Sequence, residues 1–126
     1  MPKLPSISDA EWEVMHVLWE RSTATAQDVH AALDRGRQWS PRTVKTLLSR
    51  LVKKGALRFE VEGKRYLYRP RVSREQCVRA ESRSFADRVL GGSASPLIAT
   101  FLRESKLSPR EIDELRALLD EKARRQ

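Results

Sequence analysis

The chain has 126 residues, 40% of them hydrophobic, with 25 Lys and Arg against 17 Asp and Glu and a formal net charge of +8. That length holds one small domain, or one domain with a helical appendage, and the apolar fraction is enough for a core, which excludes disorder as the overall state. The positive excess points to a polyanion, nucleic acid before an acidic membrane surface, and it is concentrated in residues 1–72, with 14 Lys and Arg against 8 Asp and Glu; residues 73–126 have 11 against 9.

Cys77 is the only cysteine, which excludes an internal disulfide and a thiolate cluster. His16 and His30 fall on separate predicted helices with no shared ligand spacing, so neither a metal site nor a cofactor is expected. Apolar runs are a few residues long, too short for a membrane span or a signal peptide. The expectation is a soluble cytoplasmic protein without membrane insertion.

Met1–Ser6, with two prolines, reads as a loose arm. Ser8 and Glu11 then have capping-box spacing, and Ile7 and Trp12 the spacing of a hydrophobic staple, so a first helix opens here. Its load of Trp12, Met15, Val17, Leu18 and Trp19 suits a helix lying across the core. Thr23-Ala24 is a short extended link. Thr25 caps a brief second helix to Leu33, with Val29 and Leu33 inward, and the polar Asp34–Gln38 connection ends it.

Ser40–Gly55 carries the clearest signals in the chain. Ser40 is an N-cap, Pro41 occupies the first helical position, and Gly55 can take the left-handed conformation that closes a helix. Val44, Leu47, Leu48, Leu51 and Val52 form one apolar face. The other face displays Arg42, Thr43, Lys45, Thr46, Ser49, Arg50 and Lys53. From Arg35 to Arg58 there are eight basic residues and no acid. A solvated helix face ordinarily mixes signs, because like charges repel at i, i+4. Cations interleaved with hydroxyls are what a helix needs in the DNA major groove, where Lys and Arg neutralise phosphates and Arg, Thr and Ser meet base edges. The plainer alternative is a basic surface helix without a partner. Trp39, just before this helix, reads equally as a packing or a stacking residue.

Leu57–Glu62 alternates apolar and charged residues, Gly63-Lys64 makes a turn, and Arg65–Pro70 returns. Phe59, Val61, Tyr66 and Tyr68 are expected on one face as core cover, with Lys64 and Arg65 at a free basic tip. Three helices followed by such a hairpin describe a winged helix-turn-helix in a mainly α protein. From Ser73 the pattern is wholly helical: Ser73 to Leu90, stopped by Gly91-Gly92; Ser95 to about Glu104; and a helix opened by Ser108 and Glu111, with Leu107 and Ile112 as staple. Three short amphipathic helices cannot form a stable core alone. Residues 73–126 therefore read as a dimerisation region beside a DNA-binding domain of residues 1–72, with Val78, Phe85, Val89, Leu97, Phe101, Leu102 and Leu115 along the seam; packing back onto the same chain is the alternative.

Ile7–Met15, Trp39–Leu57, the hairpin, Ala80–Phe85, Gly91–Ser93 and Leu107–Leu115 together resemble the penicillinase-repressor family, which includes bacterial β-lactamase, methicillin-resistance and copper-responsive repressors. The resemblance covers almost the whole chain. It implies a homodimeric winged-helix repressor of β-lactamase or a related resistance or stress gene, binding double-stranded operator DNA at an inverted repeat. In the β-lactam branch a membrane sensor-protease pathway leads to cleavage of an Asn-Phe bond in the dimerisation region; the matching position is Thr100-Phe101, which keeps the aromatic and not the Asn. The copper branch holds metal on paired Cys-x-Cys motifs, which a single cysteine excludes. No nucleophile–base pair, carboxylate pair or phosphate loop supports an enzyme. The competing class is a nonspecific nucleic-acid-binding or protein-interaction winged-helix module.

Overall fold

The computed structural model describes residues 6–33, 39–91, 93 and 95–126. Its elements run α1 (Asp9–Arg21), α2 (Ala26–Leu33), α3 (Pro41–Lys53), β1 (Leu57–Glu62), β2 (Arg65–Pro70), α4 (Arg74–Val89), α5 (Ser95–Glu104) and α6 (Pro109–Arg124). The expected arm over Met1–Ser6, except Ser6, the Asp34–Gln38 connection and Gly92 lie outside the described residues. The chain divides into two compact units, Met1–Ser82 and Arg83–Gln126.

In the first unit the helix starts are made by local hydrogen bonds. The Ser8 hydroxyl accepts from the Glu11 N–H at 3.2 Å, and the Glu11 carboxylate accepts from the Ser8 N–H at 2.8 Å. Thr25 and Asp28 repeat this reciprocal pair at the start of α2. The bond from the Thr25 N–H holds the Asp28 carboxyl below its usual range, against a smaller opposing effect of burial. At α3 the Ser40 hydroxyl caps the Thr43 N–H, with Pro41 in the first turn.

The exit of α3 is equally explicit. Gly55 has φ +83°, its N–H reaches the Val52 carbonyl, and the Ala56 N–H reaches the Leu51 carbonyl at 2.9 Å. This is a Schellman closure, with Ala56 and Leu51 both buried as its apolar clasp. The chain passes directly into β1. Gly63, with φ +67°, takes the first position of the two-residue hairpin turn, where a primed turn needs positive φ. The antiparallel register runs from Leu57 opposite Pro70 to Glu62 opposite Arg65.

One core joins these elements: Val14, Met15 and Leu18 from α1, Val29 from α2, Val44, Leu48 and Leu51 from α3, Leu57 and Tyr68 from the hairpin, and Cys77 from α4. Burial pushes the Cys77 thiol up, so it packs as a small apolar residue. The Thr23-Ala24 link does more than connect: Ala24 exchanges both backbone hydrogen bonds with Tyr68 and so adds a third, one-residue strand to the hairpin.

One expectation about the hairpin is corrected. Phe59, Val61, Tyr66 and Tyr68 do share a face, but only Tyr68 enters the core. Phe59, Val61 and Tyr66 are exposed, with Phe59 stacked on Tyr66 at 4.4 Å. The hairpin outruns the helices beneath it, so its far half covers only itself.

In the second unit, α6 opens with the reciprocal Ser108–Glu111 pair and α5 begins at Ser95. Among the described residues, neither α5 nor α6 buries a single side chain.

Candidate nucleic-acid interface

The basic face of α3 is held by its apolar face. Val44, Leu48 and Leu51 are fully buried and Leu47 nearly so, which turns Arg42, Thr43, Lys45, Thr46, Ser49, Arg50 and Lys53 to solvent. Among the described residues no acid pairs with Arg42, Lys45, Arg50 or Lys53, and no side chain claims them. Four unpaired cations along one helix repel one another, a cost that a polyanion removes.

The hydroxyls are partly committed. Thr43 shares a hydrogen bond with Ser40 at 3.0 Å and belongs to the cap. Thr46 donates to the Arg42 carbonyl at 3.0 Å, leaving its lone pairs and methyl group outward. Ser49 is exposed beside Arg50.

Two contacts set the pitch of α3. His30 Nε2 lies 2.9 Å from the Trp39 carbonyl; since a carbonyl only accepts, Nε2 carries the proton and ties α2 to the entry of α3. Trp39 is half-buried against the core, which makes it a packing residue. At the other end Lys54 Nζ meets the buried Glu11 carboxylate at 2.5 Å and the Ser6 carbonyl at 2.9 Å. Burial alone would push the Glu11 carboxyl up; the hydrogen bonds from Lys54 and Ser8 and the Lys54 charge together outweigh it and hold the carboxyl below the usual range. Lys54 thus acts inside the fold while its neighbour Lys53 faces out.

The wing is less uniformly basic than its tip implied. Arg58, Glu60, Glu62, Arg65, Leu67 and Arg69 share the outer face of the hairpin. Arg69 lies 3.5 Å from Glu60 and Arg65 4.0 Å from Glu62, all four exposed to a third or more. Lys64, at the turn, is without a partner among the described residues. The tip therefore offers one free cation and one that shares a carboxylate.

A family model described as the penicillinase repressor matches residues 7–121. The chain belongs to the penicillinase repressor family. It is 40% identical over 121 residues to the penicillinase repressor of Bacillus licheniformis, covering 96% of this chain and 94% of that one. It is 35% identical over 120 residues to the methicillin resistance regulatory protein MecI of Mammaliicoccus sciuri, covering 95% and 98%. Among solved structures it is similar to the DNA-binding domain of the repressor BlaI, at 44% identity and TM-score 0.53, covering 59% of this chain and 90% of that one. It is also similar to monomeric Bacillus licheniformis BlaI in complex with the blaP half-operator, at 44% identity and TM-score 0.51, covering 60% and 92%. These matches carry the winged-helix fold, and the family is one of repressors rather than enzymes.

The residues expected at the dimer seam lie on three helices. Val78, Phe85 and Val89 are on α4, Leu97, Phe101 and Leu102 on α5, and Leu115 on α6. Phe85, Leu97 and Leu115 are half-buried, and the other four are exposed. Ile98, Ile112, Leu118 and Leu119 are exposed apolar residues that the sequence reading left off the seam, although their helical spacing was visible. Thr100 and Phe101 sit inside α5, where the Thr100 hydroxyl donates to the Pro96 carbonyl at 2.9 Å.

Proposed function

We propose that this protein is a transcriptional repressor that binds operator DNA, α3 entering the major groove and the hairpin acting as the wing. The observation that carries this reading is the outward face of α3: four cations with no partner among the described residues, fixed in place by the buried Val44, Leu47, Leu48 and Leu51. The 44% identity to a BlaI domain seen with a half-operator supports it. Arg50 and Thr46, one turn apart, are the base readers, with Arg42, Lys45, Ser49 and Lys53 on the flanking phosphates and Lys64 and Arg65 reaching the backbone from the wing.

The working unit is a homodimer on an inverted repeat, formed by residues 73–126. The support is energetic: no described side chain of α5 or α6 is more than half-buried in a single chain, and Val89, Ile98, Phe101, Leu118 and Leu119 stand exposed. So much unburied apolar surface on α5, α6 and the end of α4 is what a second copy would cover. The protein acts in the cytoplasm; among the described residues no helix is long and apolar enough to cross a membrane. The regulated gene is a β-lactamase or a related resistance gene, released through a sensor-protease pathway in which Thr100-Phe101 is the candidate bond.

Selection from a randomised duplex library with the full-length protein tests the central reading. Enrichment of an inverted repeat is the expected result. Retention of DNA without any enriched sequence would leave only the nonspecific module, and the operator reading would be wrong.

A further inference from the structure

A groove of about 720 Å³ opens in the first unit, on the side of α1 that takes no part in the α3 face, lined by His16, Trp19, Glu20, Ser73, Arg74 and Glu75. Its volume falls in the range of small-molecule sites. Its wall continues a triangle of rings on α1. Trp12, His16 and Trp19 have centroids 5.7–5.8 Å apart, with the two tryptophans edge to face. The Trp19 indole N–H donates to the Val72 carbonyl at 2.9 Å, so this half-buried ring is locked in place before any ligand arrives.

The charges around the rings run against the rest of the molecule. In a chain of net charge +8, this groove has two carboxylates, Glu20 and Glu75, against one guanidinium, Arg74. Among the described residues none of the three is in an ion pair. Ser73 is already used, its hydroxyl and N–H closing the cap with Gln76. A preset indole beside unpaired carboxylates is the chemistry that recognises an organic cation: the ring quadrupole and the carboxylates both attract positive charge, and a weakly hydrated ammonium gives up little water to reach them. Polyanionic DNA is excluded by the same carboxylates.

We propose that this groove binds a small organic cation, an amine or quaternary ammonium held by the Trp19 ring and the Glu20 and Glu75 carboxylates. The site is separate from the α3 face and does not depend on the DNA-binding reading.

Isothermal titration of the full-length protein with benzyltrimethylammonium tests it, with phenylacetate as an anionic probe of similar size. The expected result is saturable binding of the cation, with Kd on the order of a millimolar or tighter, and none of the anion. Glu20→Gln with Glu75→Gln should weaken it about five- to tenfold, while Arg74→Gln should leave it intact or tighten it. These side chains are exposed, and circular dichroism checks that each variant is folded. Absence of saturation by about 10 mM, or equal binding by the double Gln variant, overturns the proposal. Preferential binding of phenylacetate lost in Arg74→Gln overturns it as well, reassigning the groove to anions.

Discussion

Lys54, the last residue of the basic run before the wing, puts its ammonium on the carboxylate of Glu11, a side chain 1% exposed at the opposite end of the domain's sequence. The pair fastens the exit of α3 to the entry of α1, so the helix proposed to read DNA is anchored through the cap that starts the fold. Lys54→Met should destabilise the protein by about 1–3 kcal/mol, because it strands a buried carboxylate whose second oxygen already lacks a partner; the one-third exposure of Lys54 keeps the loss below that of a fully buried pair. Denaturant titration measures it.

The same carboxyl sets an acid limit. Its folded-state pKa is depressed below 4.5, so its contribution is complete above the unfolded value and is lost as pH falls through the folded one. Stability should decline on acidification below about pH 4.5 more steeply in the parent than in Glu11→Gln, which binds no proton there. Parallel acid slopes in thermal melts of the two proteins would remove Glu11 from that role.

Base reading and phosphate binding should separate by mutation. Arg50→Ala is expected to cost roughly 1–3 kcal/mol on the selected operator and to relax preference at one position. Lys53→Ala and Lys64→Ala should weaken all duplexes alike and lower the salt slope by about one each. Anisotropy titrations at several salt concentrations distinguish the two patterns. An Arg50→Ala protein with unchanged operator preference would displace Arg50 from the groove.

The wing acids give a prediction of opposite sign. Glu60 and Glu62 hold Arg69 and Arg65; on the operator reading they place negative charge beside the phosphates. Replacing both by Gln should tighten DNA binding by roughly 0.5–1 kcal/mol and steepen the salt dependence, since exposed pairs of this kind are worth little to the fold itself. Unchanged affinity in the double variant would put the outer face of the wing away from DNA.

Truncation should show where the first unit ends. A chain stopping at Ser82 retains Cys77 in the core and the Trp19–Val72 hydrogen bond, and should unfold cooperatively. Stopping at Val72 removes Cys77, 4% exposed, and should cost about 1–3 kcal/mol by guanidinium titration. Both should bind an inverted repeat far more weakly than the whole chain, having lost the linkage of two half-sites.

Release by proteolysis can be tested in cells. The Thr100–Phe101 bond lies within a helix, and a protease needs an extended segment, so cutting requires α5 to open locally. Treating cells with a β-lactam should yield a fragment ending at Thr100, visible by mass spectrometry of the intact protein. Induction of the target gene without that fragment would exclude the bond and leave dissociation without cleavage.

What the sequence disclosed was set by range. Ser8 with Glu11, Ser40 with Pro41, Ser108 with Glu111, and the glycines at 55 and 63 act within a few residues, so the helix starts, the α3 exit and the turn were readable in order. The Lys54–Glu11 pair spans 43 residues and the Trp19–Val72 bond 53, and no local pattern announces either. Alternation placed Phe59, Val61, Tyr66 and Tyr68 on one side of the hairpin but says nothing of how far the body beneath extends. The basic face of α3 was legible because sign and spacing coincide on one short helix. The pairing of Arg69 with Glu60 was not, because it depends on the register of two strands.

The Schellman closure at Gly55 and Ala56 makes the domain a gauge. Only the tight turn at residues 54–56 separates α3 from β1, and the Arg71 N–H returns to the Ala56 carbonyl at 2.9 Å, so the roots of helix and hairpin are bolted at one point. On the operator reading, the distance from the helix's bases to the wing's phosphates is then a fixed length of the protein. One inserted base pair shifts the outer contact by about 3.4 Å and turns it by roughly 35° around the duplex. A domain with slack at that joint would follow; this one must give up either the helix's contacts or the wing's.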